Sequence, residues 1–175
     1  MGQINAAVLK ELQRQLNQEL TSAYSYEALS LWCEEANLKG FAHYFIKQAS
    51  EERQHARRLM KHLLDRQVLP ELTGVAAANT KFDSLLSVAK QAQSMEQQNS
   101  AGVHGAYEVA LREKDYPAQV LLHWFVNEQV EEEDWADEMV ERVARANCPG
   151  GLGEVDRHIE RYLKDEPSAV EGEKS

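Results

Sequence analysis

Four glutamates lie at corresponding places in four long segments of the chain: Glu19, Glu52, Glu96 and Glu132. One of them begins the pair Glu52-x-x-His55, and another ends the pair Gln129-x-x-Glu132. Residues three positions apart share one face of an α-helix, so each pair can point two ligand atoms at the same point. Carboxylate and imidazole groups in this arrangement are typical of a metal site.

The spacing of these residues is the same in the two halves of the chain. Glu19 and Glu52 are 33 positions apart, and so are Glu96 and Gln129. Four-helix bundles that bind two metal ions take one Glu from each of two helices and a Glu-x-x-His pair from each of the other two. The second pair departs from that pattern, because Gln129 stands in place of its Glu and Glu132 in place of its His.

The charge of the four glutamates predicts what would bind them. Taken singly, each could flank a helix face and reach water, but the 3–4 spacing places all four on mostly apolar faces. Four carboxylates buried together are tolerable only with cations, and two divalent ions balance a charge of −4. The set is rich in oxygen, with one imidazole and no thiolate, which favours iron or manganese over structural zinc.

Two aromatic residues accompany the predicted metal ligands. Tyr26 follows Glu19 along the same helix face, and Trp124 lies beside Phe125, shortly before Gln129. Their ordinary role would be packing. Beside a redox metal, either side chain could instead donate a hydrogen bond to a ligand or supply an electron.

Residues that end or interrupt helices, such as proline and glycine, divide the sequence into helical segments. No segment shows the alternating pattern of a strand. The segments run over residues 5–37, 40–66, 83–114, from Asp115 and Pro117 to 146, and 154–164. A short first link makes the first two helices antiparallel, whereas the long second link allows the second and third to be parallel. We therefore predict an all-α four-helix bundle with a long crossover and a short fifth helix. We expect residues 1–165 to form one domain and residues 166–175 to form a mobile tail.

The composition excludes several classes of partner. The 29 Asp and Glu exceed the 19 Lys and Arg, for a net charge of −10, which argues against nucleic acids and anionic membranes and suits cations. The longest uncharged run, 116–127, is short of the roughly 20 residues of a membrane span. No secretory signal is visible, and two cysteines, Cys33 and Cys148, predict a reducing, cytoplasmic location.

Three motifs resemble the ferritin family of non-haem iron-storage proteins. They are LNQEL at 16–20, EERQHARRLM at 51–60 and NEQVEEE at 127–133, and the resemblance extends over nearly the whole chain. It implies a hollow homo-oligomeric shell of twenty-four subunits. It also implies ferroxidase activity, in which Fe(II) is oxidised by dioxygen or peroxide and the ferric product enters a mineral core.

The resemblance also implies roles for individual residues. The first iron would be bound by Glu19, Glu52 and His55, with Glu52 bridging to a second iron at Glu96 and Gln129. Tyr26 and Trp124 match the aromatic residues beside the family's centre. Bacterial members have a third iron site, and its carboxylates match Glu51, Glu128, Glu131 and Glu132. Glu132 is therefore assigned either to the iron pair or to the third site, while Glu133 and Asp134 fit a solvated helix face.

Departures from the family pattern limit what the resemblance implies. Arg53 stands where haem-binding members carry a methionine ligand, so we expect no haem. Gln119 and Leu122 replace acidic residues that line the iron-entry channels of animal ferritins, which leaves the entry route open.

Two other functional classes remain open from the sequence. A non-storage di-iron peroxide reductase or oxygenase could use a similar centre, although Cys33 and Cys148 cannot form a Cys-ligated iron domain and no insertion for an organic substrate is evident. A metal-free helical interaction module would instead turn its glutamates to solvent.

Overall fold

The structure, a computed structural model, describes residues 4–146, 148 and 150–165, with side chains as far as Arg161. The described chain forms five helices and no strand: α1 (Ala6–Glu35), α2 (Lys39–Asp65), α3 (Leu85–Arg112), α4 (Tyr116–Arg145) and α5 (Gly151–Asp165). The predicted all-α bundle with a short fifth helix is confirmed. The predicted tail, 166–175, lies outside the described residues. None of the described helices is both long and apolar enough to span a bilayer.

Polar side chains cap the starts of three helices. The Asn5 side chain accepts the backbone N–H of Ala7 at 2.8 Å, and Ser84 forms a capping box with Ser87. At α4, Asp115 accepts the backbone N–H of Ala118 at 3.2 Å, with Pro117 in the first turn. These caps explain why the helices begin within about two residues of the predicted positions.

The crossover between α2 and α3 sets the topology of the bundle. It is non-helical and follows the outer side of α1. Near the start of the crossover, the backbone oxygen of Glu71 accepts a hydrogen bond from the Asn17 side chain at 2.9 Å. Near its end, the backbone oxygen of Phe82 accepts one from the indole N–H of Trp32 at 3.2 Å. The crossover therefore carries the chain along α1, so that α3 starts at the end where α2 starts. The two helices are parallel, as the sequence predicts.

Two apolar clusters fill the bundle and leave a polar layer between them. One cluster surrounds Phe41 and Phe45, together with the end of α1 and the start of α3. The other surrounds Leu59 and Leu122, together with the start of α1 and the end of α3. Glu19, Glu52 and Glu96 all lie between the clusters, and their side chains are buried. The apolar clusters thus hold four helices rigidly around a layer of acidic residues.

Helix α5 closes one end of the bundle against the start of α2. The backbone N–H of Phe41 donates to Oδ1 of Asp156 at 3.0 Å, so α5 provides an N-terminal cap for α2. A Cβ atom on Gly40 would lie 2.1 Å from the backbone oxygen of Asp156. Only glycine permits so close an approach of the two helices.

Candidate metal centre

The polar layer receives side chains from all four long helices. Glu19 comes from α1, Glu52 and His55 from α2, Glu96 from α3 and Gln129 from α4, and each is buried, with at most 6% of its surface exposed. The 3–4 periodicity of each helix turns these residues inward, between the two apolar clusters. The structure thus brings together five of the residues that the sequence singles out.

Glu19, Glu52 and His55 form the tightest cluster in the layer. One ligand atom of each lies within 4.8 Å of the others, and the described residues contain no other such group of three or more His, Cys, Asp or Glu. Nδ1 of His55 lies 3.5 Å from Oε2 of Glu52 and 3.8 Å from Oε2 of Glu19. This geometry matches the first of the two predicted iron-binding sets.

Two atoms of this cluster have no hydrogen-bond partner among the described residues. They are Oε2 of Glu52 and Nδ1 of His55, and both are buried. Buried polar atoms are nearly always satisfied, and an unpaired one costs about 1–3 kcal/mol. A metal ion between these two atoms would satisfy both. The donor set of carboxylate oxygens and one imidazole nitrogen fits iron.

The carboxylates of the layer differ in their tendency to ionise. Burial, together with the charge of Glu19, raises the pKa of Glu52 well above its usual value. Burial likewise raises the pKa of Glu96. Burial acts in the same direction on Glu19, but the proximity of His55 and Glu52 outweighs it and lowers the pKa of Glu19. A bound cation would favour ionisation of all three groups and would release protons.

Glu96 is held by two neighbours within the layer. The Tyr26 hydroxyl donates to Oε1 of Glu96, and Nε2 of Gln129 donates to Oε2 of Glu96 at 3.2 Å. Gln129 also lies 3.3 Å from the hydroxyl of Ser100. Burial and the charge of Glu96 raise the pKa of Tyr26 well above its ordinary value, so its phenol keeps its proton. Tyr26 therefore contacts a predicted ligand directly.

Trp124 contacts the histidine of the cluster. Its ring meets that of His55 edge-on, with centroids 5.4 Å apart at 80°, and Phe125 packs on another side of His55 at 5.7 Å. Cζ of Arg58 lies 3.9 Å from the centroid of Trp124. The imidazole is therefore fixed by two aromatic rings, and one of these is stacked under a cation.

The residues of the predicted third site line a cavity between α2 and α4. It has a volume of about 290 Å³ and reaches His55 and Trp124. Its acidic lining consists of Glu51, Glu128, Glu131 and Glu132. These four carboxylates share the cavity, but no three of them lie within 4.8 Å of one another.

Glu132 lines the cavity and is not part of the tight cluster of Glu19, Glu52 and His55. Its side chain is only half-buried, in contrast to Glu19 and Glu52. Burial, with the charges of Glu96 and Glu51, raises the pKa of Glu132 well above its usual value. Its position between the layer and the cavity therefore fits either of its predicted assignments.

Two buried amides of the layer were not predicted as site residues. Gln15 and Asn99 are completely buried and hydrogen-bond to Glu19. Gln15 lies one helical turn before Glu19, and Asn99 lies three residues after Glu96. That spacing is the signal that could have found them, because it places polar side chains next to buried carboxylates.

The fold and this layer define a class: a four-helix bundle with a carboxylate–histidine cluster at its centre. The family model described as a ferritin-like domain matches residues 9–146, and the chain belongs to this ferritin family. The bacterial non-heme ferritin of Staphylococcus aureus is 34% identical over 138 residues, which cover 79% of this chain and 83% of the relative. The bacterial non-heme ferritin of Staphylococcus haemolyticus is 36% identical over 126 residues, which cover 72% of this chain and 76% of the relative.

Solved structures agree with these relatives. An open pore ferritin from the archaeon Archaeoglobus fulgidus superimposes with a TM-score of 0.87 at 29% identity, covering 90% of this chain and 98% of the other. An engineered closed form of the Archaeoglobus fulgidus ferritin superimposes with a TM-score of 0.86 at 29% identity, covering 90% of this chain and 96% of the other.

Proposed function

We propose that the protein stores iron and that each subunit is a ferroxidase, which oxidises Fe(II) to Fe(III) at a di-iron centre. The observation that carries this proposal is the pair of buried, unpartnered ligand atoms on Glu52 and His55, which lie 3.5 Å apart. The bacterial relatives, which are non-heme ferritins by name, support storage as the purpose of the oxidation.

The proposed ligands follow the geometry of the layer. Glu19, Glu52 and His55 would bind one iron, and Glu52 would bridge to a second at Glu96 and Gln129. Glu52 lies near enough to Glu96 for their charges to interact, which supports a shared role. Because the apolar clusters fix these side chains in advance, little reorganisation would accompany binding.

Iron is both substrate and cargo in this proposal, and dioxygen or peroxide accepts its electrons. The carboxylates of the layer would favour oxidation, since their negative charge stabilises Fe(III) more than Fe(II). Tyr26 would orient Glu96 through its hydroxyl, and Trp124 would fix the ring of His55. Glu51, Glu128 and Glu131, with Glu132, would bind a third iron in the adjoining cavity.

Storage further requires a closed compartment, which we propose to be a cytoplasmic homo-oligomeric shell of twenty-four subunits. Its mass would be about half a megadalton, 24 times 19.9 kDa. The alternative, a non-storage peroxide reductase or oxygenase, is less well supported. The cavity beside His55 is lined by four acidic side chains and two basic ones, Lys47 and Arg58, so its lining is acidic on balance and suits cations better than an organic substrate.

Aerobic loading with Fe(II) tests the proposal. The protein should oxidise many more than two equivalents per subunit and retain the ferric product in a particle of shell size. The double variant Glu52→Ala/His55→Ala should lose fast oxidation and still assemble. The matched control is His123→Ala/Asp134→Ala, which removes one histidine and one acidic residue from exposed positions on α4 and should behave as wild type. Equal rates in the wild type and the first variant would refute the site.

A further inference from the structure

A network of hydrogen bonds from neighbouring amide side chains holds the carboxylate of Glu19. Nε2 of Gln15 donates to Oε1 of Glu19 at 2.7 Å, and Nδ2 of Asn99 donates to Oε2 of Glu19 at 3.3 Å. Gln15 and Asn99 also contact each other at 3.2 Å. Both oxygens of this carboxylate therefore have amide donors, which fixes its rotation, whereas Oε2 of Glu52 has none.

Arg14 sets the orientation of the Gln15 amide from the surface of the bundle. Its Nη1 donates to Oε1 of Gln15 at 3.3 Å, and its Nη2 donates to the backbone oxygen of Gly102 at 2.7 Å. A guanidinium group only donates hydrogen bonds, so the atom of Gln15 that faces it must be the oxygen. The amide nitrogen is thereby left to face Glu19.

The network fits because residue 102 of α3 has no side chain. A Cβ atom at Gly102 would lie 2.5 Å from Oε1 of Gln15 and 2.9 Å from Nη1 of Arg14. Both atoms are ends of flexible side chains, so an added methyl group would displace them and leave the helix backbone in place. Glycine is less favourable than alanine inside a helix, so its presence here calls for a reason.

We propose that Gly102 is a positioning residue of the metal centre, which admits Arg14 and Gln15 so that they hold the Glu19 carboxylate in its metal-binding orientation. This inference rests on the proposed metal-binding function and extends it to three residues outside the predicted ligand set. Loss of such outer hydrogen bonds typically weakens metal binding 10- to 100-fold.

A test compares two glycines of the same helix. Gly102→Ala displaces the network, whereas Gly105→Ala adds the same methyl group at a position where nothing beyond the adjoining helix backbone lies within 4 Å. Each variant of the full-length assembled protein is titrated with Co²⁺, which replaces Fe(II) so that binding is measured without oxidation of the metal. Calorimetry gives the affinity, and visible absorption reports the coordination geometry.

We expect only Gly102→Ala to weaken Co²⁺ binding, by about tenfold, and to alter the Co²⁺ spectrum. Gly105→Ala should be at least as thermally stable as wild type, because alanine favours the helix. In Gly102→Ala the same helix preference is opposed by the loss of the displaced hydrogen bonds. Gln15→Met, which removes the amide donor with similar volume, should weaken binding as Gly102→Ala does. The altered Co²⁺ spectrum is the readout that a merely structural role would not change.

Three outcomes would decide against the inference. Wild-type affinity and spectrum in both Gly102→Ala and Gln15→Met would overturn it and leave the proposed function intact. Equal weakening in Gly102→Ala and Gly105→Ala would also overturn it, since the second site has no contact with the network. A wild-type protein that binds no Co²⁺ would overturn both proposals. Should Gly102→Ala not assemble, Gln15→Met decides by the same criteria.

Discussion

Nδ1 of His55 and Oε2 of Glu52 lie 3.5 Å apart in the centre of the bundle, and neither has a hydrogen-bond partner among the described residues. Two apolar clusters lie on either side of them, and both atoms are buried. A protein core tolerates such a pair at a cost in stability, and a bound metal ion offsets that cost.

The first prediction concerns the stability of the metal-free protein. Glu52→Gln removes a buried carboxylate whose Oε2 atom is unpartnered, so we expect a higher thermal midpoint than wild type in the presence of a chelator. Addition of Co²⁺ should raise the midpoint of wild type and have little effect on the variant. Thermal melts with and without metal measure both effects. A variant less stable than wild type under chelation would contradict this account of the site.

A second prediction separates Tyr26 from the metal ligands. Tyr26→Phe removes the hydroxyl that donates to Glu96 and leaves the packing of the ring against Phe45. A hydrogen bond to a charged group contributes about 2 kcal/mol, so the thermal midpoint should fall. Co²⁺ should bind in unchanged amount, and Fe(II) oxidation should slow about tenfold in stopped-flow measurements. Unchanged oxidation would exclude Tyr26 from the reaction.

The ion pair at the far end of the bundle gives a third prediction. Nη1 of Arg66 lies 2.6 Å from Oδ1 of Asp115, both side chains are largely buried, and Asp115 also caps α4. Asp115→Ala leaves a buried cation and an uncapped helix, so it should destabilise the protein by about 3 kcal/mol or more. Asp115→Asn keeps the cap and should cost less.

The control for this pair is an exposed one. Lys61 and Asp65 lie 2.6 Å apart one helical turn from each other, with most of both side chains exposed. Lys61→Ala should therefore change stability by less than about 0.5 kcal/mol. Urea unfolding measures the free energy of unfolding of all the variants. Similar losses in Lys61→Ala and Asp115→Ala would show that burial does not strengthen the ion pair of Arg66 and Asp115.

The fourth prediction concerns pH. Burial, and then the positive charge of Arg66, lower the pKa of His62 below its usual 6.5, and its buried Nε2 atom has no hydrogen-bond partner in the described part of the chain. The unfolded chain therefore binds this proton more readily than the folded one. The stabilising effect of neutral His62 is complete above pH 6.5 and is lost as the pH falls through the folded-state pKa.

Replacement of His62 removes this pH-dependent contribution to stability. Thermal midpoints between pH 7.5 and pH 5 should decline less steeply for His62→Gln than for wild type, while His123→Gln, at an exposed position, should follow wild type. Parallel pH profiles for wild type and His62→Gln would show that His62 does not contribute to acid sensitivity.

The sequence predicted the helices well because one physical signal determines them. The 3–4 periodicity of apolar residues marks the buried faces, and Glu19, Glu52 and Glu96 stand out as exceptions on those faces. The structure buries all three in one layer. Their roles as iron ligands remain predictions.

Other features of the structure depend on distances between helices, which the periodicity of the sequence does not reveal. The approach of Asp156 to Gly40 and the space that Gly102 leaves for Gln15 arise from packing between helices distant in sequence. Three of the third-site acids lie close together on α4 by their spacing and Glu51 lies on α2, yet Glu131 is exposed and the group does not converge to ligand distance. The sequence places side chains on a face, whereas convergence depends on rotamers and on the facing helix.

Anomalous diffraction from crystals soaked anoxically in Fe(II) tests the central claim most directly. The account predicts two iron peaks per subunit in the polar layer, one of them within bonding distance of Glu19, Glu52 and Nδ1 of His55. Both peaks should be missing from the Glu52→Ala/His55→Ala protein. A polar layer without iron in the wild type, at saturating Fe(II), would contradict the account.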